Sequence, residues 1–562
     1  MNMKREIEKI IAQAVKTAFD TQVEVELSRP EEKFGDYSTN VAMQLASELQ
    51  KNPRQIAEEL VGHIQDNSSD IFSDVSIAGA GFINLTLTDK SIIEAASKKP
   101  EKPLADQTIV TEYSDPNPFK ILHAGHLYTS IVGDAISNLL ENAGADVHRV
   151  NFGGDVGLHV AKNMWSMIQT LGGENPDKLS EIDENNRAQW MADNYIKGTN
   201  AYEENDDAKQ EIVVLNKKIY EIHNSNDHDS NLAKIYWTCR QWSYDYFDEF
   251  YAQIGSKFEK YYPESQTAPI GLQTVKKHIG SVYEESDGAI IFDGDKYGLH
   301  TRVFINSEGL PTYEAKDVGL IMLKKSDYNF DKSVVITGNE IDQYMKVVLK
   351  SIEQYEPELV QATTHLTHGM VKLQGGEKMS SRKGNILKAD DVLKAAAAAS
   401  QQLHGKESAE TVMGAVKYAF LKHRMGGDIV YDPKESVSVE GNSGPYLQYA
   451  HARARSIIRK ADNPDSAQIV LPENESLNSE ERSLVRKISE FPEVVAAATD
   501  ELMPHHICTY LYELAQNFNR FYENNQVIGD QRQALRLSLV RVYSNVLSSG
   551  LKLLGISAPE EM

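Results

Sequence analysis

The spacing of apolar residues changes several times along the chain, and each change predicts a different element. MNMKREIEKIIAQAVKTAF at the start has the period of an amphipathic helix bearing both charge signs. A second helix is expected after Pro53, and GAGFINLTLT alternates as a strand does. KKPEKPLADQ then reads as a loop that closes a small α+β region over residues 1–100. From Thr108, IVTEY predicts a strand, SDPNPFK a turn stiffened by two prolines, and LHAGHLYTSIVGDAISNLLENAG a long helix closed by Gly144. VHRVNFGGDVG supplies another strand and turn, and strand–helix–strand at this spacing indicates a parallel α/β sheet.

Residues 160–260 have helical periodicity and read as an insertion between two halves of that sheet. Sheet character returns in IIFDG, RVFIN and SVVITGN, with a helix after Asp317. Beyond residue 385 the pattern is helical to the end, apart from turn-rich residues 432–445. The run Ala395–Ala399 reflects helix propensity, and no repeat of 20 to 50 residues is visible. The predicted organisation is an appended region at 1–100, an α/β domain at 105–385, a helical connection at 386–435 and a helical domain at 436–562.

Composition narrows this picture. A chain of 562 residues exceeds what one hydrophobic core serves, so two to four domains are expected. With 41% hydrophobic and 25% charged residues, disorder is not indicated. Two cysteines without metal-ligand spacing argue against disulfides and structural zinc, and suit a reducing, cytoplasmic setting. The sequence holds no apolar run long enough to span a membrane. Net charge is −24, which speaks against a nucleic-acid partner until its distribution is considered. Acids crowd between Glu181 and Asp229, whereas PYLQYAHARARSIIRK carries four Lys/Arg and no acid. Local basic faces of that kind remain compatible with binding a folded nucleic acid.

Two motifs carry candidate chemistry. In HAGH, His123 and His126 fall on one side of a helical turn, where they can donate to phosphate oxygens beside a helix N-terminus. Gly125 leaves room for a nucleotide to approach the backbone. Capping or surface histidines would show the same residues. In KMSSRKG, Lys378, Arg382 and Lys383 stand on a glycine-flanked loop suited to pyrophosphate, although a solvated basic loop would have the same composition. The pair, in this order, suggests activation of a carboxylate by ATP, which requires an aligned α-phosphate and stabilisation of the leaving charge.

Taken with EYSDPNPFKILHAGHLYTSIVGD, GLPTYEAKDVG, GNSGPYLQYAHARARSIIRK, the N-terminal FGDYSTNVAMQLA and GFINLTL, and the final LLGISAPEEM, the chain resembles class I aminoacyl-tRNA synthetases, and most closely the arginyl family. The resemblance implies a Rossmann-like catalytic domain with a helical insertion, a small α+β N-terminal domain and an all-helical anticodon-binding domain. It implies ATP with Mg²⁺, L-arginine and tRNA(Arg) as substrates, no structural metal, a monomer, and a first step that requires bound tRNA. His123, Gly125, His126, Lys378, Met379, Ser380, Arg382 and Lys383 become ATP-binding residues, with His123, His126, Lys120 and Lys378 in the chemistry. Glu112, Asn117, Tyr313 and Asp317 become the arginine pocket, whose carboxylate, amide and phenol groups suit a five-donor guanidinium.

Two departures stand out. Ser381 occupies the position of the family's second lysine, and Lys120 is positioned to compensate, with Arg382 and Lys383 as alternatives. In the strand ITGNEIDQY, Gln343 is taken as the residue touching the amino acid, ahead of Glu340 and Asp342. For tRNA, His451, Arg455 and Arg459 predict one basic helix edge, with Tyr446 and Tyr449 beside it to stack on bases or to pack in the core. By the same resemblance, Phe82 and Asn84 contact the outer corner of the tRNA. Rival readings are another class I synthetase, a small nucleotidyltransferase, and a non-catalytic RNA-binding relative.

Overall fold

The structure, a computed structural model, describes residues 3–374, 387–405, 408–461 and 468–562. It divides into two compact units, one of residues 104–438 and one made from both ends of the chain, 1–103 with 439–562.

The 104–438 unit is built on a five-stranded parallel sheet. Its order is Thr363–His368, Lys332–Gly338, Thr108–Glu112, Asp146–Gly153, Lys260–Pro263. Its strands are rich in β-branched and aromatic residues, and Val110, Val150, Val334, Val335 and Ile336 are fully or almost fully buried. The first strand in sequence is therefore central, and the chain winds away from it in both directions. That reversal makes a crevice at the carboxyl ends of Thr108–Glu112 and Lys332–Gly338. The helix Ala124–Asn142, here the motif helix, follows the central strand, and its chain reverses at Gly144 (φ 102°).

IIFDG and RVFIN do not join this sheet. Ala289–Phe292 and Arg302–Ile305 form a separate antiparallel sheet with Glu284–Ser286, because Asp287 and Gly288, both at positive φ, turn the chain into a tight hairpin. ITGNEIDQY is a strand only as far as Gly338, after which a short 3₁₀ turn leads into the helix Asp342–Glu353. The helix expected after Asp317 starts earlier, at Tyr313. Val371–Leu373 also pairs in parallel with Ile429–Tyr431, inside the stretch read as wholly helical.

The insertion is helical, as its periodicity predicts: Leu158–Thr170, Arg187–Glu204, Asp206–Ser225 and Asn231–Ile254 surround their own core of Val160, Met164, Met167, Ile212, Ile219, Tyr236 and Cys239. Asp155, just past the strand Asp146–Gly153 and fully buried, ties this bundle to the sheet. It accepts from Arg240 Nε (2.9 Å), from the Ser265 backbone N–H (2.8 Å) and from the Ser265 hydroxyl (2.7 Å).

In the other unit, an antiparallel sheet ordered Leu27–Ser28, Tyr37–Thr39, Phe82–Leu87, Phe72–Ala78 packs with N-terminal helices. Among the described residues, five helices from Gly444 to Leu553 make up most of the rest. The two sequence regions are joined by charge. Arg482 donates to buried Asp36 (2.7 Å) and to Asp89 (2.8 Å), while Arg29 and the Tyr37 phenol both donate to Glu493 at 2.7 Å. Among the described residues no helix is long and apolar enough to cross a membrane, and Cys239 and Cys508 are both buried and unbridged.

Candidate active site

The turn leaving the central strand holds Ser114, Asp115 and Phe119 at φ values of 73°, 48° and 66°, a conformation L-residues seldom adopt. Local bonds fix it. Asp115 accepts the Phe152 N–H (2.8 Å), Asn117 Oδ1 accepts the Gly154 N–H (2.7 Å), Ser243 accepts the Phe119 N–H (2.9 Å), and Asn163 donates to the Phe119 carbonyl (2.7 Å). Insertion helices thus set how the chain enters the first motif.

His123 is the N-cap of the motif helix. Its Nδ1 accepts the Gly125 N–H at 3.1 Å, and His126 Nδ1 accepts the His123 N–H at 3.1 Å, a reciprocal capping box. A neutral imidazole that accepts at Nδ1 carries its proton on Nε2, so each ring offers one Nε2–H donor. Burial, helped by the nearby Lys120 charge, pushes His123 down to about 4 and holds His126 well below the usual imidazole range. Both are neutral donors near pH 7, next to the positive end of the helix dipole. The space at Gly125 serves this arrangement directly: a Cβ there would lie 2.8 Å from the His123 ring, so the room expected for a nucleotide is taken by the motif's own imidazole. A cavity of about 470 Å³ opens in front, lined among others by Asn117, Lys120, His123, His126 and Tyr195, with Lys120 Nζ 4.4 Å from the Tyr195 ring centre.

A group of carboxylates is buried in the same unit. Asp317, on the helix Tyr313–Tyr328, accepts from the Tyr344 phenol. Burial and the charges of Glu112, Glu264 and Glu314 push Asp317 up to about 8, against the lowering effect of the Tyr344 bond. Asp115 is held well above the usual carboxylate range by burial and by Glu112. Glu112 itself is not free: its carboxylate takes the Lys324 ammonium in a buried ion pair, and Lys316 pairs with Glu264 at 2.5 Å. Tyr313 is half exposed, its hydroxyl 3.4 Å from His159 Nδ1. Gln343 does not reach this group. It sits exposed in the first turn of its helix, bonded to Asp342 (3.0 Å), and Asp342 pairs with Lys346; the rotation of one helical residue brings Tyr344 inward instead. Glu340 is exposed as well.

A family profile described as "tRNA synthetases class I (R), catalytic domain" matches residues 89–431, more than half of the chain. The chain belongs to the arginyl-tRNA synthetase family of class I. An "Arginyl tRNA synthetase N terminal domain" matches residues 2–87, and a "DALR anticodon binding domain" matches residues 447–562. It is 27% identical to an arginine–tRNA ligase of Phocaeicola vulgatus over the full length of both, and 28% identical to one of Bacteroides fragilis over 96% of each. In fold it resembles the arginyl-tRNA synthetase of Thermus thermophilus (TM-score 0.81, 24% identity, 100% of both chains). It also resembles that of Plasmodium falciparum (TM-score 0.80, 21% identity, 100% and 99%).

Lys378, Met379, Ser380, Arg382 and Lys383 lie outside the described residues. The segment that follows is tied to the first motif of this synthetase: Leu387 C=O accepts the Ala124 N–H (2.8 Å), and Leu122 C=O accepts the Ala389 N–H (3.1 Å). Of the residues expected to meet tRNA, Phe82 and Tyr449 are exposed. Asn84 is buried with Oδ1 accepting from Ser38 (2.8 Å), and the Tyr446 hydroxyl accepts from Asn519 (2.9 Å). The basic edge is less free than the sequence suggests. His451 is buried against the Pro559 carbonyl, Arg455 donates to Glu560 (2.7 Å), and Arg459 donates to the Glu560 carbonyl (2.9 Å), so the tail of the same chain pairs with the edge while Arg459 stays exposed.

Sequence reasoning missed Asp115, Asp155, Glu264 and Tyr344. Three of them carried a signal: Asp115, Asp155 and Glu264 stand one to three residues past the carboxyl ends of parallel strands, the edge where α/β proteins place ligands.

Proposed function

We propose that the chain activates L-arginine with ATP and transfers it to tRNA(Arg) for protein synthesis, as an arginine–tRNA ligase forming AMP and pyrophosphate. The observation that carries this is a pair of buried acids, Asp317 and Asp115, both held above the usual carboxylate range, in the same unit as two neutral imidazole donors at a helix N-terminus. A buried acid pushed up to about 8 by its anionic neighbours is a place that gains from a cation. Guanidinium stays charged at any working pH and presents five donors in a planar fork, whereas lysine would leave buried acceptors unpaired.

No side chain needs to act as a nucleophile. The arginine carboxylate oxygen forms a bond to the α-phosphorus, and the bond from that phosphorus to the bridging oxygen breaks with its electrons leaving on pyrophosphate. His123 and His126 present Nε2–H to phosphate oxygens without exchanging a proton, and the dipole of the motif helix favours the same anions. ATP enters with Mg²⁺ on its phosphates. Asn117, Tyr313 and Lys120 surround the reacting groups in this reading, with the KMSSRKG lysines on the same nucleotide. Exposed Tyr449 is the leading base-stacking residue of the anticodon domain, and Phe82 that of the N-terminal domain. The protein acts as a cytoplasmic monomer.

Pyrophosphate exchange with each of the twenty amino acids, with and without tRNA, tests the assignment. Exchange stimulated by arginine alone is expected, and stimulation by a different amino acid would overturn it.

A further inference from the structure

The cavity before the first motif gathers three lysines from three separate parts of the chain: Lys120 before the motif, Lys162 on Leu158–Thr170, and Lys388 at the cap of Ala389–His404. Each is held by a neutral group. Lys120 lies over the Tyr195 ring at 4.4 Å, Lys162 over the Tyr202 ring at 4.3 Å, and Lys388 donates to Gln189 Oε1 at 2.7 Å. Among the described residues none of the three forms an ion pair, and Glu203 is the one acid lining the cavity. Aromatic faces and an amide orient an ammonium without cancelling its charge. In a chain of net charge −24, such a surplus of positive charge calls for an anion.

The helix Arg187–Glu204 supplies Gln189, Tyr195 and Tyr202, and its position is fixed at Gly198, where an added Cβ would meet the Lys162 carbonyl at 1.9 Å. Thr199 Oγ1, shielded from solvent and without a partner among the described residues, belongs to the same wall. Lys388 is anchored to the first motif by an antiparallel bridge with His123.

We propose that Lys162 and Lys388 join Lys120 in a pyrophosphate subsite that holds the β- and γ-phosphates of ATP during attack on the α-phosphorus. The inference rests on the reading of the site given above, and it assigns the leaving-group charge to these ammonium groups. The same anion chemistry is offered by backbone phosphates at the 3′ end of tRNA, and the measurements below separate the two.

Inorganic pyrophosphate is titrated calorimetrically into the full chain and its Lys162→Met and Lys388→Met variants. Each substitution should weaken binding about tenfold, the effect of one charge-assisted hydrogen bond, with the KM for ATP rising in parallel and the KM for tRNA unchanged. Lys162→Arg and Lys388→Arg, which keep the charge, should restore most of the affinity. Thermal melts of the methionine variants check that the fold is retained. Unchanged pyrophosphate affinity in both methionine variants overturns the proposal. So does a change confined to the KM for tRNA, which would give these lysines to the acceptor-end phosphates. Pyrophosphate binding requires no amino acid, so a failure of the arginine assignment in the exchange assay leaves this test independent.

Discussion

If Asp317 faces the guanidinium as proposed, arginine binding should draw a proton off it. In the free protein this carboxyl is pushed up to about 8 by burial and by Glu112, Glu264 and Glu314, so it is mostly neutral at pH 7. A guanidinium placed against it favours the ionised form and draws the proton off. If only the ionised form binds, affinity falls tenfold for each pH unit below the break. Between pH 8.5 and 6.5 the loss is roughly 25-fold, or about 1.9 kcal/mol. Titration calorimetry of arginine in two buffers of different ionisation heat measures both the affinity and the proton count, which should approach one near pH 7. Asp317→Asn should bind weakly at every pH. Tyr344→Phe removes a bond that lowers the Asp317 pKa, so its break should move to higher pH. The stability sign follows. With a folded pKa above the unfolded value of about 3.9, this group opposes folding increasingly as pH rises from about 4 to 8. Arginine should therefore raise the melting temperature more at pH 8.5 than at 6.5. Arginine affinity that is flat across this range, with no proton released, would refute the reasoning.

Other outcomes follow from single contacts. His126→Ala should lower turnover in pyrophosphate exchange at least tenfold, about 1.4 kcal/mol of transition-state stabilisation, and the wild-type rate should show no imidazole titration between pH 6 and 7.5, because both motif histidines are already neutral there. Lys324→Met strands the Glu112 carboxylate in the core and should destabilise the 104–438 unit by about 3–5 kcal/mol in urea unfolding, while adding Glu112→Gln should recover most of the loss. Arg482→Ala leaves buried Asp36 short of a countercharge and should lower the melting transition of the other unit, with little change in the KM for ATP.

What the sequence made legible was local. The proline turn, the capping histidines, the glycine stop and the parallel strands each leave a mark within a few residues, and the motif helix lies where its period puts it. Pairing partners leave no such mark. Glu112 looked like an open pocket acid because nothing within its own strand shows that Lys324, 212 residues away, neutralises it. The basic edge of Arg455 and Arg459 looked unengaged because Glu560, which accepts from both, lies a further 105 and 101 residues along the chain. Short apolar runs such as IIFDG fit parallel and antiparallel pairing equally well, and only the Asp287–Gly288 turn distinguished them. Gln343 is exposed while Tyr344 is turned inward, because the switch from strand to helix after Gly338 changes which neighbour faces the interior.

The union of the two chain ends has a consequence during synthesis. Asp36 is separated from Arg482 by 446 residues, and at the usual pace of translation its partner emerges roughly 20–90 s later. For that interval the N-terminal sheet carries an unpaired acid and an uncovered face, while the whole 104–438 unit is made and free to fold. Completion of the unit built from both chain regions thus waits until Arg482 and the helices around it have been made, and a ribosome stalled before that point would leave the 104–438 unit finished while the N-terminal sheet still lacks its partner.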